Sequence, residues 1–338
     1  MPNMNICICG GGALGTVCAS IFSNNGHVVN LLTGHPENWR HAIYAIDEEG
    51  NEIKGMINII SSNAKEVIPT SDIILICVPG YLIEKILKEI RPYKNEHSIV
   101  GSVVSSTGFF FIAHDIFKFP TTLFGFQRVP YIARIKEYGK SAYLLGHKES
   151  LNVAIENYED PYRLTHILQN LFQTKVNLLN DYLEVSLTNS NPLLHTARLY
   201  TMWKNKEHES FEVQSLFYGD WTEEASDLLL AMDKEFMTLI SKLNITPGAI
   251  KSILEHYEVN DAKELTAKIK SIPAFAKIKS PMRMENEKWY PDLNSRYFTE
   301  DFPFGLRFIK NLAEEREIPI PIIIKVYEWG IHDILKYD

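Results

Sequence analysis

Three residues in the C-terminal half have the chemistry to move a proton and to hold an anion. His195 lies in TNSNPLLHTAR (188–198); Arg296 and Asp301 stand five apart in NSRYFTEDFPFGLRF (294–308). An imidazole takes and gives protons near neutral pH. A carboxylate behind it fixes the tautomer and stabilises the imidazolium. A guanidinium grips a carboxylate through two parallel hydrogen bonds. The residues alone leave two arrangements open. In one, Asp301 supplies the counter-charge that His195 needs in the first turn of a helix, where the dipole disfavours imidazolium, and Arg296 binds a substrate carboxylate. In the other, Arg296 and Asp301 pair with each other and brace an apolar loop, and His195 is a packed, hydrogen-bonded histidine. The helix starts at Asn191-Pro192, with Asn as cap and Pro in the first position, or it starts earlier and Pro192 kinks it.

A second set of residues, at the other end of the chain, suits a pyrophosphate. GGGALG (10–15) follows a short apolar strand (5–9) and opens a helix to about Ser23; Gly26 ends that helix and a second strand follows (27–32). Gly10, Gly12 and Gly15 occupy the GxGxxG places, serving a tight turn, close approach of the pyrophosphate, and helix–strand packing. Gly11, Ala13 and Leu14 lie between them at a helix N-terminus that faces the phosphates. A lone GxGxxG is weak evidence, but one between a strand and a helix is strong. The second strand ends in Thr33-Gly34 without the carboxylate that usually bonds a ribose diol, and Arg40 follows in the same loop. A hydroxyl, free N–H groups and a cation suit a 2′-phosphate, so NADP(H) is expected in preference to NAD(H), with Glu37 the alternative ligand for the diol. Val78-Pro79, ending the apolar run DIILICVP (72–79), stands where the nicotinamide ribose is expected.

These groups need elements to position them. The runs 72–79 and 98–104 are continuous apolar strands of the parallel-sheet kind, and 122–126 and 141–146 read as further strands. The pattern changes near Asn180. Thr222 caps a helix over 223–243, and helices are expected over 249–257, 262–270, 305–316 and 322–335. The expected fold is an α/β N-terminal Rossmann domain (1–180) with a doubly wound, mostly parallel sheet, followed by an all-α domain (181–338) that supplies substrate groups.

Composition narrows the partners. The 338 residues carry a formal charge of −8 with no long basic run, which speaks against nucleic acid. No apolar run is long enough to span a bilayer, and the N-terminus lacks the features of a signal peptide. The four cysteines form no CxxC pair and fit small buried hydrophobes in a reducing cytoplasm. The histidines show no metal spacing, so no metal is expected. A homodimer is expected on base rates.

The chain resembles the octopine/nopaline (opine) dehydrogenase family over nearly its whole length. SRYFTEDFPFGLRFIKNLAEEREIPIPI (295–322) resembles the family's Arg-Tyr-x-x-Glu-Asp-x-Pro-x-Gly-Leu segment, and NPLLHTAR its Asn-Pro-x-x-x-His. Val129-Pro130-Tyr131 with Arg134 is similar to a Pro-aromatic run ending in Arg, and Val78-Pro79 also fits. The chain departs from the family at Ser105-Ser106-Thr107-Gly108-Phe109-Phe110-Phe111, where a Pro-Gly-x-x-Gly-Gly-like turn is usual. The resemblance implies reductive condensation of an amino acid with a 2-oxo acid through an imine. It implies His195 as general acid/base, Asp301 as its partner, and Arg296, Arg134 and Asn191 on the substrates. Tyr297, Phe298, Phe302 and Phe304 would keep the site dry, or are core.

Two other readings fit the domain order. A ketopantoate-type 2-oxo acid reductase shares it but usually relies on a lysine acid, and no lysine here stands in such a motif. A non-catalytic NADP-binding sensor would bind cofactor without turnover.

Overall fold

Eleven strands form one sheet in the computed structural model, which describes residues 3–106 and 108–336. Thr107, in the turn singled out above, lies outside the described residues. The strands are β1 (Asn5–Cys9), β2 (Val28–Leu32), β3 (Ala42–Ile46), β4 (Glu52–Ser61), β5 (Ile73–Ile76), β6 (Ile99–Ser102), β7 (Leu123–Phe126), β8 (Tyr131–Glu137), β9 (Ser141–His147), β10 (Ser150–Glu156) and β11 (Lys175–Leu178). Their order is β11-β10-β7-β6-β5-β1-β2-β4-β3-β9-β8. Seven of the ten pairings are parallel, so the sheet is mostly parallel with antiparallel additions.

The centre follows from the sequence. Every residue of β5 (IILI) and β6 (IVGS) is buried. Such uninterrupted burial requires both sheet faces to be covered. Ile6, Ile8, Ile73 and Leu75 lie at 0% exposure in one core cluster with Val17 and Phe22 of the helix Ala13–Asn24; each such side chain contributes about 1.5–3 kcal/mol of burial. That helix lies so close to the turn before it that a Cβ on Gly15 would stand 2.1 Å from the Gly10 carbonyl oxygen, so only glycine fits. β1 pairs with β2 on one side and β5 on the other. The sequence therefore leaves β1 in opposite directions along the sheet, which places a crevice at the carboxyl ends of these strands.

Several strands differ from expectation. The strand expected over 72–79 is regular only at Ile73–Ile76. β3, β4, β8, β10 and β11 were not expected. β8 is exposed along most of its length and forms the sheet edge, so burial imposes no apolar pattern on it.

By its internal contacts the chain divides into two compact units, Met1–Ser186 and Leu187–Asp338. The second is largely helical. Its helix Asn191–Trp203 is buried nearly all round, the mark of a central element. The helix Glu223–Ile240 packs against it. Thr222 accepts a hydrogen bond from the Ala225 N–H and Glu223 and Glu224 sit at the positive end, a cap worth about 1 kcal/mol. The expected 249–257 helix shortens to Ile253–Tyr257, capped reciprocally by Ser252 and Glu255. The segment Phe302–Leu306 is a π-type turn before the helix Arg307–Glu315, and a second π-type turn, Trp329–Leu335, follows Pro321–Glu328. A hairpin, β12 (Met282–Glu285) and β13 (Lys288–Pro291), interrupts the helices. Its Asn286 and Glu287 both have positive φ, 49° and 63°, as a tight two-residue hairpin turn requires.

Candidate active site

The first unit carries a cradle at the carboxyl ends of β1, β2 and β5. A cavity of about 580 Å³ there is lined by Gly10, Gly11, Gly12, Thr33, Gly34, Val78 and Pro79, among others. Gly12 is the N-cap of the helix Ala13–Asn24 and contributes no side-chain cap, so the amides of Ala13, Leu14 and Gly15 open the helix as anion donors. A Cβ built on Gly12 meets no atom within 4 Å. The glycine leaves open space at the start of that helix, as the close approach of a dinucleotide pyrophosphate would need. Pro79 caps the helix Gly80–Ile90 and lies with Val78 on the cavity wall.

The second unit brings His195 and Asp301 together. His195 Nδ1 lies 2.8 Å from Asp301 Oδ2, and His195 Nε2 lies 2.8 Å from the Tyr218 hydroxyl. The His195 and Asp301 side chains are 12% and 17% exposed, so water screens their interaction weakly. Tyr297 stands against the imidazole with ring centroids 4.7 Å apart, and Phe217 lies 5.7 Å away. Burial pushes the Tyr218 phenol well above its ordinary pKa, and Tyr297, Tyr257 and Asp301 add to the effect. Burial also raises the Tyr297 phenol, reinforced by Asp301. Both tyrosines are therefore neutral donors at physiological pH.

Other expected residues fall differently. Arg296 does not pair with Asp301. Its Nε and Nη2 donate to the two carboxylate oxygens of Glu300, both at 2.8 Å, a bidentate fork four residues along the chain. Asn191 is not the cap of its helix: Ser190 is, and the Asn191 N–H donates to Asn189 Oδ1. Pro192 occupies the first turn without a kink, because the lost N–H has no intrahelical partner there. Arg134 is exposed on β8, where its Nη1 donates to the Ala133 carbonyl. Of the four aromatics, Tyr297 touches His195, whereas Phe298 and Phe302 are fully buried and stacked on each other. Tyr218 carried no sequence signal: it reaches His195 from a loop 23 residues away.

Known proteins resemble the chain throughout. Residues 178–332 match the family model for the NAD/NADP octopine/nopaline dehydrogenase alpha-helical domain; residues 6–106 match that of ketopantoate reductase PanE/ApbA. The tauropine dehydrogenase of Arabella iricolor is 25% identical over 96% of this chain and 89% of its own length. The octopine dehydrogenase of Pecten maximus is 24% identical over 98% and 91%. A solved octopine dehydrogenase with NADH and L-arginine superposes with a TM-score of 0.85 at 23% identity, covering 98% of this chain and 90% of that one.

The expected preference for NADP(H) is overturned. The octopine dehydrogenase structures with this fold at 23% identity hold NADH; the NADP+-bound yersinopine dehydrogenase is more distant, at 12% identity and a TM-score of 0.74. The loop shows the physical reason. Thr33 is buried and its N–H is spent on the Ser61 carbonyl, so that amide does not serve a 2′-phosphate. Arg40 is exposed and is not among the residues lining the cavity.

Proposed function

The chain belongs to the octopine/nopaline (opine) dehydrogenase family, and from that premise we propose that it condenses an amino acid with a 2-oxo acid and reduces the resulting imine with NADH. The observation that carries this reading is the His195–Asp301 hydrogen bond of 2.8 Å within a pocket of aromatic rings.

The condensation asks for one group that takes a proton and later returns it. The ammonium of the amino acid must lose a proton before its nitrogen can attack the ketone. The carbinolamine oxygen must then gain one to leave as water. His195 serves both demands, with Asp301 holding the Nδ1 proton and stabilising the imidazolium. Arg296 grips a substrate carboxylate in place of Glu300, since its fork is already set for bidentate binding. Arg134 supplies the cation for the second carboxylate, and Asn191 a polar contact at the start of the histidine helix. Gly10 to Gly15, with Thr33, Gly34, Val78 and Pro79, hold the dinucleotide. Bound NADH supplies the hydride. Tyr297 and Phe217 limit water around a readily hydrolysed imine.

Among the described residues no helix is long and apolar enough to cross a membrane. The charge of −8 and four free cysteines support a cytoplasmic protein acting on small molecules rather than nucleic acid, and a homodimer is the assembly that base rates favour.

Mass spectrometry of the product tests the reading. Incubation with NADH, pyruvate and an amino acid mixture should yield a secondary amine whose mass is the sum of both substrates, less one water, plus two hydrogens. The N-terminal match to ketopantoate reductase favours one alternative, a simple 2-oxo acid reductase. Lactate as the sole product would select it.

A further inference from the structure

Both ring nitrogens of His195 are engaged, Nδ1 by Asp301 and Nε2 by Tyr218, each at 2.8 Å. Resting on the opine reading above, we propose that Tyr218 is the group through which His195 exchanges protons with substrate, held in place by Arg198.

An ionised carboxylate only accepts hydrogen bonds, so His195 donates Nδ1–H to Asp301, and Nε2 is the acceptor in neutral imidazole. Tyr218 must then donate to Nε2. The phenol cannot easily turn away. Its ring stacks on Phe275 at 4.2 Å and lies edge-on to Phe217 at 4.9 Å. Arg198 secures the backbone on both sides of it. This arginine follows His195 by three residues on the same helix. It donates from Nε to the Phe217 carbonyl at 3.0 Å and from Nη2 to the Asp220 carbonyl at 2.6 Å. It is 4% exposed and lies 5.7 Å from the Trp221 ring. Burying a guanidinium is costly, and here the hydrogen bonds that offset the cost go to the two carbonyls flanking Tyr218. Burial draws its pKa down to about 10, against the Asp220 charge, so it remains a cation at neutral pH.

The relay balances. An N–H bond of the substrate ammonium breaks and its proton passes to the Tyr218 oxygen. The Tyr218 O–H proton passes to His195 Nε2. Neutral amine, intact phenol and imidazolium result. In the return step, Nε2 gives its proton to the Tyr218 oxygen, and Tyr218 gives its own to the carbinolamine oxygen. The C–O bond breaks, water leaves and the protonated imine (iminium) remains, with the His195 imidazole neutral again. Concerted transfer never requires a free phenolate, in keeping with a phenol held high by burial.

The test is the single-turnover rate of NADH oxidation by the purified enzyme, with pyruvate and an equimolar mixture of amino acids. It is measured for wild type, Tyr218→Phe and Arg198→Lys in H2O/D2O mixtures. The relay predicts a loss of about 100-fold in rate for Tyr218→Phe, with NADH affinity and KM within about twofold. It also predicts a curved dependence of rate on deuterium fraction in wild type, where two protons move together, and a linear one in Tyr218→Phe. Arg198→Lys should lose the same curvature in part, and serves if Tyr218→Phe does not fold. A Tyr218→Phe rate within threefold of wild type, or a linear wild-type dependence, would overturn the relay alone. Absence of wild-type turnover would overturn the opine reading and the relay with it.

Discussion

Gly305 lies so close to Pro192 that a Cβ on the glycine would stand 2.7 Å from the proline Cγ and 2.8 Å from its Cβ. This contact presses the turn after Asp301 onto the first turn of the His195 helix. The Leu306 N–H bonds the Asp301 carbonyl at 2.9 Å in the same turn. The carboxylate is thereby fixed at hydrogen-bond distance from the imidazole. Gly305→Ala should overpack the contact and cost about 1–3 kcal/mol of stability. It should lower kcat more than it raises KM. Thermal unfolding and steady-state kinetics on one preparation check both.

Asp301→Asn keeps the shape but can present an NH2 group to Nδ1, which favours the wrong tautomer. Turnover should fall by about 10³–10⁴-fold with the melting temperature little changed. A loss of only a few-fold would remove Asp301 from its proposed role.

Arg296 forms a planar fork already matched to a carboxylate, as its pairing with Glu300 shows. Lysine offers a point charge instead. Arg296→Lys should raise KM for one substrate by about tenfold or more and leave kcat within a few-fold. Equal loss in kcat and kcat/KM would place the arginine in the chemical step.

The two glycines of the cradle should respond in opposite ways. Gly15→Ala drives a methyl into the Gly10 carbonyl and should destabilise the fold. Gly12→Ala meets nothing in the protein, and its φ of −82° suits any residue. It should leave the melting temperature unchanged and weaken NADH binding, read by fluorescence titration.

Asp233 is 6% exposed and accepts a hydrogen bond from the Ile253 N–H at 3.0 Å. Burial raises its pKa to about 6, against that hydrogen bond, with Glu255 adding to the rise. The folded state therefore holds this proton at a pH where the unfolded chain has lost it. Stability from this group is fully present below the unfolded value near 4 and is lost as pH rises to about 6. Asp233→Asn retains the acceptor oxygen without the charge. It should raise the melting temperature by a few degrees at pH 7.5 and change it little at pH 4. Equal effects at both pH values would contradict this.

What could be read from the sequence, and what could not, follows from burial. GGGALG between strand and helix, and the apolar runs of β5 and β6, declare themselves because strands covered on both faces leave no polar position. β8 could not be read, since an exposed edge carries no pattern. The helix Pro161–Phe172, capped by Asp160 with Pro161 in its first turn, has a legible start in the sequence. The spacing of Arg296 and Glu300 on one helical turn is likewise legible, and their bidentate pair follows from it. Tyr218 was beyond reach: no periodicity ties it to His195, and only the tertiary fold and the Arg198 clamp bring its hydroxyl there. The loop after β2 misled because an arginine near a strand end says nothing of whether its side chain lines the cavity.

The most direct measurement is the loss of NADH absorbance by the purified enzyme with pyruvate, with an amino acid mixture, and with both. Reductive condensation predicts oxidation only when both are present. Oxidation with pyruvate alone, at a rate the amino acids do not change, would contradict it.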